Sequence, residues 1–192
     1  MEALLPVAIG LFVATHLDTY VVLVAFCSKE GYRLPELFVG HYVGFGIGLL
    51  GAVLATIVLP EGIHEYAFLL GLLPIALGLW GFRVRDKQPT TVDPLTPSSA
   101  LARGLVVTTA GIGLSGENIA VFIPFFLALA STELLTVVMG YLLGAGIVFF
   151  LAFSTSRTTE AIELPNWLEH RLVPGLLVLV GTYVLTTGWI AS

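Results

Sequence analysis

The sequence predicts an all-α membrane protein in which six transmembrane helices form two inverted repeats of three. Three observations lead to this prediction: the composition, six apolar segments of membrane length, and a motif that recurs in both halves. Of the 192 residues, 57% are hydrophobic and only 11% are charged, and the mean hydropathy is +0.97. A soluble domain carries about 25% charged residues, so this chain could not cover a water-exposed surface with polar groups.

The remaining composition excludes several kinds of site. The formal net charge of −5 comes from loop carboxylates and two intramembrane ones, so it does not indicate a nucleic-acid partner. Cys27 is the only cysteine, which excludes an internal disulfide and a thiolate metal cluster within one chain. The amino terminus lacks the basic region of a secretory signal, and we expect its apolar run to be a retained first helix.

Six segments contain the roughly 20 apolar residues that a membrane helix needs. The predicted spans are 3–26, 36–59, 64–82, 104–130, 133–153 and 172–190. The longest break between them is rich in proline, threonine and serine, which is typical of a linker. The predicted organisation is therefore a first three-helix repeat at 1–83, a cytoplasmic linker at 84–103 and a second repeat at 104–192.

The basic residues predict the orientation. All eight fall in the loops after the first, third and fifth predicted spans: Lys29, Arg33, Arg83, Arg85, Lys87, Arg103, Arg157 and Arg171. Lysine and arginine concentrate in cytoplasmic loops. We therefore expect a multi-pass protein of the plasma membrane with both termini outside the cell.

A glycine motif relates the two halves. The pattern GxxxGxGI occupies 40–47 and recurs at 140–147, and Asp18 aligns with Glu117 at nearly the same spacing. Three spans per half would give the halves opposite orientations, and inverted repeats place substrate sites near the midplane where the halves meet. Close helix packing alone would explain the glycines, but it would not explain why the repeat also pairs two buried carboxylates.

Asp18 and Glu117 are the only two of thirteen acidic residues that lie deep in a predicted span. A charged carboxylate at the centre of a membrane helix costs about 2.5–3.5 kcal/mol on insertion scales. No lysine or arginine lies at that depth, so the acids must be hydrogen-bonded, protonated or bound to a cation. A protonated acid that only bridges two helices is the alternative without a transport role.

The fourth span contains features that favour a broken helix. Gly111, Gly113 and Gly116 precede Glu117, and Pro124 follows it. Glycine weakens a helix, and irregular backbone at membrane depth is tolerated where it lines a cavity, with freed carbonyls available to ligate cations. The sequence therefore predicts that this helix departs from α-geometry between Gly111 and Asn118.

Two histidines could add nitrogen ligands to the two acids. His16, His41, Asp18 and Glu117 together would form a mixed oxygen and nitrogen metal site. In an unbroken helix, His16 and Asp18 would point about 200° apart, so they could share an ion only if the first helix unwinds. His41 could equally be a hydrogen-bonded packing residue. Thr15, Thr19, Ser115 and Asn118 are the candidate supporting ligands.

Four separated stretches resemble the cadmium resistance transporter family, part of the lysine exporter superfamily. They are ATHLDTYVVLVAF, VGHYVGFGIGLL, LLGLLPIALGLWGF and SGENIAVFIPFFLALA. The resemblance implies a six-helix exporter of divalent cations such as cadmium, with the family's acidic motifs at Asp18 and Glu117. The family commonly has asparagine at position 16, aspartate at 19, glutamine at 41 and aspartate at 117. This chain has one carboxylate fewer and two imidazoles more, so zinc, cobalt, nickel and manganese stay open beside cadmium.

From these observations we expect a secondary transporter that exports a divalent cation, cadmium or similar, in exchange for protons. The chain lacks the GxxxxGK[ST] motif of ATP-driven proteins. We expect no enzyme activity and no cofactor apart from the metal as substrate, and the partners would be the lipid bilayer, the cation and protons, with a homodimer left open. The alternatives are an exporter of amino acids or other small organic solutes, a membrane enzyme, and a scaffold without transport activity.

Overall fold

The computed structural model describes residues 4–59, 67–83, 96–157, 171 and 173–191. Within these ranges the side chains of Ala67, Phe68, Glu117, Val173 and residues 187–191 are not described. The start of the third predicted span, most of the linker, and His64 and His170 lie outside the described residues.

The described residues form helices and no strands, which confirms the all-α prediction. A short 3-10 turn, Ala67–Gly71, leads directly into the third helix. The α-helices are α1 Leu4–Ser28, α2 Leu34–Val58, α3 Leu72–Arg83, α4 Ala100–Leu127, α5 Ser131–Ser156 and α6 Val173–Ala191.

Helix length and composition identify three of these helices as able to cross a membrane. They are α1, α2 and α5, and α4 becomes a fourth if its two bent segments count as one span. The apolar runs in α3 and α6 are shorter, Leu69–Trp80 and Pro174–Thr186. These helices support a membrane protein, while the count of six spans stays a prediction.

The ends of the helices follow local sequence signals. In the turn before α2, Gly31 adopts a φ of +97°, a conformation that glycine reaches at little cost. Proline at the second helical position then favours the start of α2, and Glu36 Oε2 accepts a hydrogen bond from the Arg33 amide at 3.1 Å. The start of α5 uses the same device, because Glu133 Oε2 accepts from the Ala130 amide at 3.1 Å.

The main helix contacts join the two halves of the chain: α1 packs on α5, α2 on α4, and α3 on α6. In the predicted repeat, α1 is equivalent to α4, α2 to α5 and α3 to α6. If equivalent helices are exchanged, the α1–α5 pair becomes the α4–α2 pair, and the α3–α6 pair stays the same. A twofold axis between the halves would produce this pairing. It supports the predicted inverted repeat, which stays a prediction.

The direction of packing also agrees with alternating crossings. The Tyr141 hydroxyl donates to the Ala8 carbonyl at 3.1 Å, and Tyr20 Oη lies 2.8 Å from Thr155 Oγ1, so α1 and α5 run in the same direction. Six spans that alternate would also make the first and fifth helices parallel. The order of contacts in the α2–α4 pair is likewise parallel, from Gly40 near Gly104 to Gly48 near Ser115.

Glycines allow the closest helix contacts. A Cβ atom added at Gly40 would lie 2.8 Å from the Gly104 carbonyl oxygen, and one added at Gly44 would lie 2.8 Å from the Thr108 carbonyl oxygen. The packing role predicted for these two glycines is therefore confirmed. A Cβ atom added at Gly46 or Gly140 would have no neighbour within 4 Å. Close helix packing is therefore the role of some glycines in the motif and not of all of them.

The α3–α6 pair also packs backbone against backbone. A Cβ at Gly71 would meet the Gly181 carbonyl oxygen at 2.6 Å, and a Cβ at Gly78 would meet the Pro174 carbonyl oxygen at 2.6 Å. These contacts run in opposite directions along the two helices, as alternating third and sixth spans would.

Apolar side chains cover both the interior and the outer surface. The largest core cluster includes Leu11, Phe122, Phe125 and Phe126, each 0–1% exposed. Large apolar residues also face outward at matching positions of the two halves, and these stripes are suited to lipid. The stripes contain Val39, Val43, Ile47 and Leu50 on α2, and Met139, Leu143, Ile147 and Phe150 on α5.

Candidate functional site

His16 is a buried histidine with one nitrogen unpaired. Only 2% of the residue is exposed, and its Nδ1 lies 2.9 Å from the Phe12 carbonyl oxygen one turn earlier in α1. A carbonyl oxygen can only accept, so this bond places the proton on Nδ1 and leaves a lone pair on Nε2. Nε2 is a buried side-chain atom that has no hydrogen-bond partner in the part of the chain that the structure describes. Metal-ligating histidines commonly have this arrangement, in which one ring nitrogen donates to a carbonyl and the other is free.

Aromatic rings surround the His16 imidazole. Phe12 stacks on it with ring centres 3.8 Å apart, and Phe45 of α2 approaches edge-on at 5.0 Å. Tyr141 of α5 lies 5.1 Å from the Phe12 ring. Phe12 of α1 and Phe45 of α2 therefore lie against His16, and its low exposure leaves water little access to it.

His41 of α2 also contacts Phe45. It is 2% exposed, and its ring lies 6.4 Å from Phe45 and 6.1 Å from Phe149, nearly parallel to both. Its Nε2 lies 3.2 Å from the Ala145 carbonyl oxygen and so acts as the donor. This bond links α2 to α5, as expected for a packing residue, and leaves Nδ1 as the only nitrogen that could ligate a cation.

Asp18 lies in the middle of α1, but its side chain is exposed. The expectation that it is buried is therefore wrong. α1 is helical without interruption from Leu4 to Ser28, so His16 and Asp18 point about 200° apart. In this conformation the two residues cannot ligate the same ion.

α4 bends at the residue where the sequence places the second acid. The segments Ala100–Gly116 and Asn118–Leu127 meet at an angle of 56°. The neighbouring glycines and serine are a usual cause of such a kink. The predicted departure from α-geometry is wrong, because every residue from Gly111 to Asn118 is α-helical. We therefore expect Glu117 to act through its side chain rather than through freed carbonyls beside it.

The four supporting residues lie mainly in the interior. Thr19, Ser115 and Asn118 are 8%, 3% and 5% exposed, and Thr15 is half-buried. The Ser115 hydroxyl donates to the Gly111 carbonyl at 2.8 Å, and the Thr15 hydroxyl lies 3.0 Å from the Leu11 carbonyl. Their protons are directed to the backbone, so their oxygen atoms retain lone pairs for a ligand.

The predicted four-ligand set is not assembled among the described side chains. His16 and His41 both contact Phe45, whereas Asp18 lies on another face of α1. No group of three or more histidine, cysteine, aspartate or glutamate side chains in the described part of the chain could hold a metal ion. The sequence-based assignment of these residues as ligands stays a prediction.

Comparison with known families identifies the chain. A family model described as cadmium resistance transporter matches residues 12–189. The chain belongs to the cadmium resistance transporter family. Searches of curated proteins and of solved structures gave no match.

Membership of the cadmium resistance transporter family confirms the resemblance seen in the sequence. The matched range contains all eight predicted site residues, from Thr15 to Asn118. The family supports a membrane transporter rather than an enzyme, in agreement with the apolar helices.

An ion pair between α2 and α4 of this family member was not predicted from the sequence. The Arg103 guanidinium of α4 donates from two nitrogens to the two oxygens of Glu36 on α2, each at 2.7 Å. Arg103 also donates to the Pro97 and Ser98 carbonyls at 3.1 and 3.0 Å. A signal was present, since the predicted topology puts both charges at the cytoplasmic ends of their helices. The bridge ties α2 to α4 at that end.

Proposed function

We propose that this protein is a secondary transporter that exports a divalent metal cation, cadmium or a similar ion, in exchange for protons. The observation that carries the proposal is the free Nε2 of His16. It lies in a buried aromatic environment and is oriented by the bond from Nδ1 to the Phe12 carbonyl.

A buried polar atom without a partner needs an explanation, because such an atom costs about 1–3 kcal/mol. A bound cation that occupies the lone pair would remove this cost during transport. Imidazole nitrogen suits zinc, nickel and similar ions better than magnesium or calcium. Family membership supports the same class of substrate, because the matching family model is described as a cadmium resistance transporter.

The carboxylates supply what His16 lacks. A neutral imidazole cannot balance the charge of a divalent ion, and a carboxylate can both offset that charge and carry a proton. Asp18 and Glu117 are the acids in the middle of the helices, one from each half of the chain. We assign them the cation and proton exchange, with Ser115 and Asn118 as neutral ligands beside Glu117.

The decisive experiment measures metal flux in proteoliposomes that contain purified protein. Asp18→Asn and Glu117→Gln should each abolish transport of zinc and cadmium, because each amide keeps the shape of the acid but loses its charge. Glu133→Gln is the matched control: this acid caps α5 through the Ala130 amide, a role that glutamine also performs. Its flux should equal that of the wild type.

Each variant must also remain monodisperse in detergent, so that lost flux reports on transport and not on folding. Wild-type flux in both Asp18→Asn and Glu117→Gln would disprove the proposed role of the acids. Transport of an amino acid without any metal flux in the wild type would instead favour the organic-solute exporter.

A further inference from the structure

We propose that Asp18 is the point at which the transport pathway opens to water, and that it acts there separately from His16. This inference rests on the proposed function and assigns different steps of transport to Asp18 and His16. Asp18 would meet the hydrated cation or the proton, and His16 would contact the cation only after water has been removed.

The position of Asp18 on its helix is the first argument. Asp18 belongs to a row on α1 that faces the rest of the protein and includes Leu11, Ala14 and Val22. These neighbours are 0%, 6% and 7% exposed, whereas Asp18 is exposed. Ala14 and Val22 lie one turn before and one turn after Asp18. The protein surface therefore opens locally at Asp18 and is closed one turn away on either side.

The chemistry of the carboxylate indicates what fills this opening. A charged carboxylate in contact with lipid at mid-helix is unfavourable by about 2.5–3.5 kcal/mol. The outward-facing positions of the same helix, Leu5, Ile9 and Val13, are all apolar, as expected for a lipid contact. Asp18 differs from them in both chemistry and position on the helix. Water in the opening explains both differences.

The other half of the chain shows open space at the corresponding place. Glu117 aligns with Asp18, and α4 bends there by 56°. A Cβ atom added at Gly113 or Gly116 would have no neighbour within 4 Å, and both glycines are exposed. Gly111 lies one turn before Ser115, and a Cβ atom added there would be 3.2 Å from the Gly44 backbone. The opening on α4 is therefore as local as the one on α1.

The separation from His16 follows from the continuous α1 helix. His16 is 2% exposed among aromatic rings, while Asp18 is exposed about 200° around the same helix. A carboxylate in contact with water can attract a hydrated cation without removing its water shell. An imidazole in a dry aromatic environment can bind the cation only after that shell is lost. Asp18 and His16 would therefore act in sequence along the pathway.

Single-cysteine labelling tests the opening without requiring transport. Cys27 is the only cysteine, so Cys27→Ser gives a background into which Asp18→Cys, Ala14→Cys and Val22→Cys can each be introduced. The probe is a charged, membrane-impermeant maleimide applied to the purified protein in lipid nanodiscs. Thiolates react and thiols do not, so labelling requires water at the cysteine. We expect complete labelling of the Asp18→Cys variant and no labelling of the Ala14→Cys and Val22→Cys variants.

Several outcomes would contradict the proposed opening to water at Asp18. Absence of labelling at position 18 by the charged maleimide would place the residue away from water. Oxidative cross-linking of Asp18→Cys into a dimer would place it against a second copy. Equal labelling at all three positions would show that there is no local opening. If Asp18→Cys does not fold, modification of Asp18 in the wild type by a water-soluble carbodiimide is the replacement, and an unmodified Asp18 would then refute the proposal.

Zinc binding to detergent-solubilised His16→Asn, Asp18→Asn and the double variant tests whether the two residues act separately. Separate sites predict that each single variant keeps zinc binding at the remaining site with an unchanged Kd and that only the double variant loses both, because a residue at one site does not change the binding free energy of an independent site. A double variant no weaker than the weaker single variant would show that both residues hold one ion. Labelling at position 18 in a protein that moves no metal would leave the opening established and refute only the proposed function.

Discussion

The two halves of the glycine motif provide a matched test of helix packing. Gly40 and Gly140 are equivalent in the repeat, but their surroundings differ. A Cβ at Gly40 would lie 2.8 Å from both the Gly104 carbonyl oxygen and the Val107 Cβ, whereas a Cβ at Gly140 would have no neighbour within 4 Å. Gly40→Ala should therefore destabilise the protein relative to Gly140→Ala.

The expected difference can be worked out from two effects. Alanine is favoured over glycine within a helix by about 1 kcal/mol, and this gain applies equally to both substitutions. Overpacking a closely packed contact costs about 1–3 kcal/mol, and this cost applies only to Gly40, whose nearest neighbour is rigid backbone. Gly140→Ala should be stabilising by ~1 kcal/mol, and the two variants should differ by about 1–3 kcal/mol.

The measurement is reversible unfolding of both variants and the wild type in mixed micelles, followed by circular dichroism. Gly46→Ala serves as a second control, because its Cβ would also meet nothing within 4 Å although it lies on the same helix as Gly40. Equal midpoints for Gly40→Ala and Gly140→Ala would show that the close α2–α4 contact does not exist in the membrane protein.

The remaining predictions concern other parts of the protein. His16→Asn should keep transport but lower the preference for zinc over manganese by about tenfold, or ~1.4 kcal/mol, in a competitive flux assay; an unchanged ratio would refute a ligand role for Nε2. Glu36→Gln should lower the thermal unfolding midpoint, because it removes the charged acceptor of the two Arg103 bonds; high salt should lower the wild-type midpoint towards that of the variant. Tyr42→Phe should cost about 0.6 kcal/mol, because the Tyr42 hydroxyl donates to the Leu142 carbonyl, and no change in the unfolding curve would contradict it. A reporter enzyme fused after Ser192 should be active outside the cytoplasm, and a cytoplasmic signal would refute the predicted orientation.

The helices were predictable because membrane insertion depends on local composition. The six predicted segments correspond to α1–α6, with shorter described helices at the third and sixth positions. The glycines and proline of the fourth span also predicted a distortion, which appears as the bend at Glu117. The predicted unwinding was wrong because a kink in an α-helix can be accommodated without breaking the helix.

Individual glycines show where the sequence became insufficient. The repeat makes Gly40 and Gly140 equivalent, yet only Gly40 lies against another helix. The bridge between Glu36 and Arg103 was missed for a similar reason, since the two residues are 67 positions apart in the chain. Contacts of this kind depend on which helices become neighbours, and no local pattern specifies that.

The sequence by itself determined the all-α class, the apolar segments, the predicted orientation and the short set of polar residues that a membrane interior would not otherwise contain. These properties follow from transfer of side chains into lipid, which each segment undergoes independently of the others. Only the tertiary structure decided that His16 is dry with a free Nε2, while Asp18, two residues away, is exposed. That distinction depends on how α2, α4, α5 and α6 pack around α1, because neighbouring helices determine whether a given position on α1 is covered or open.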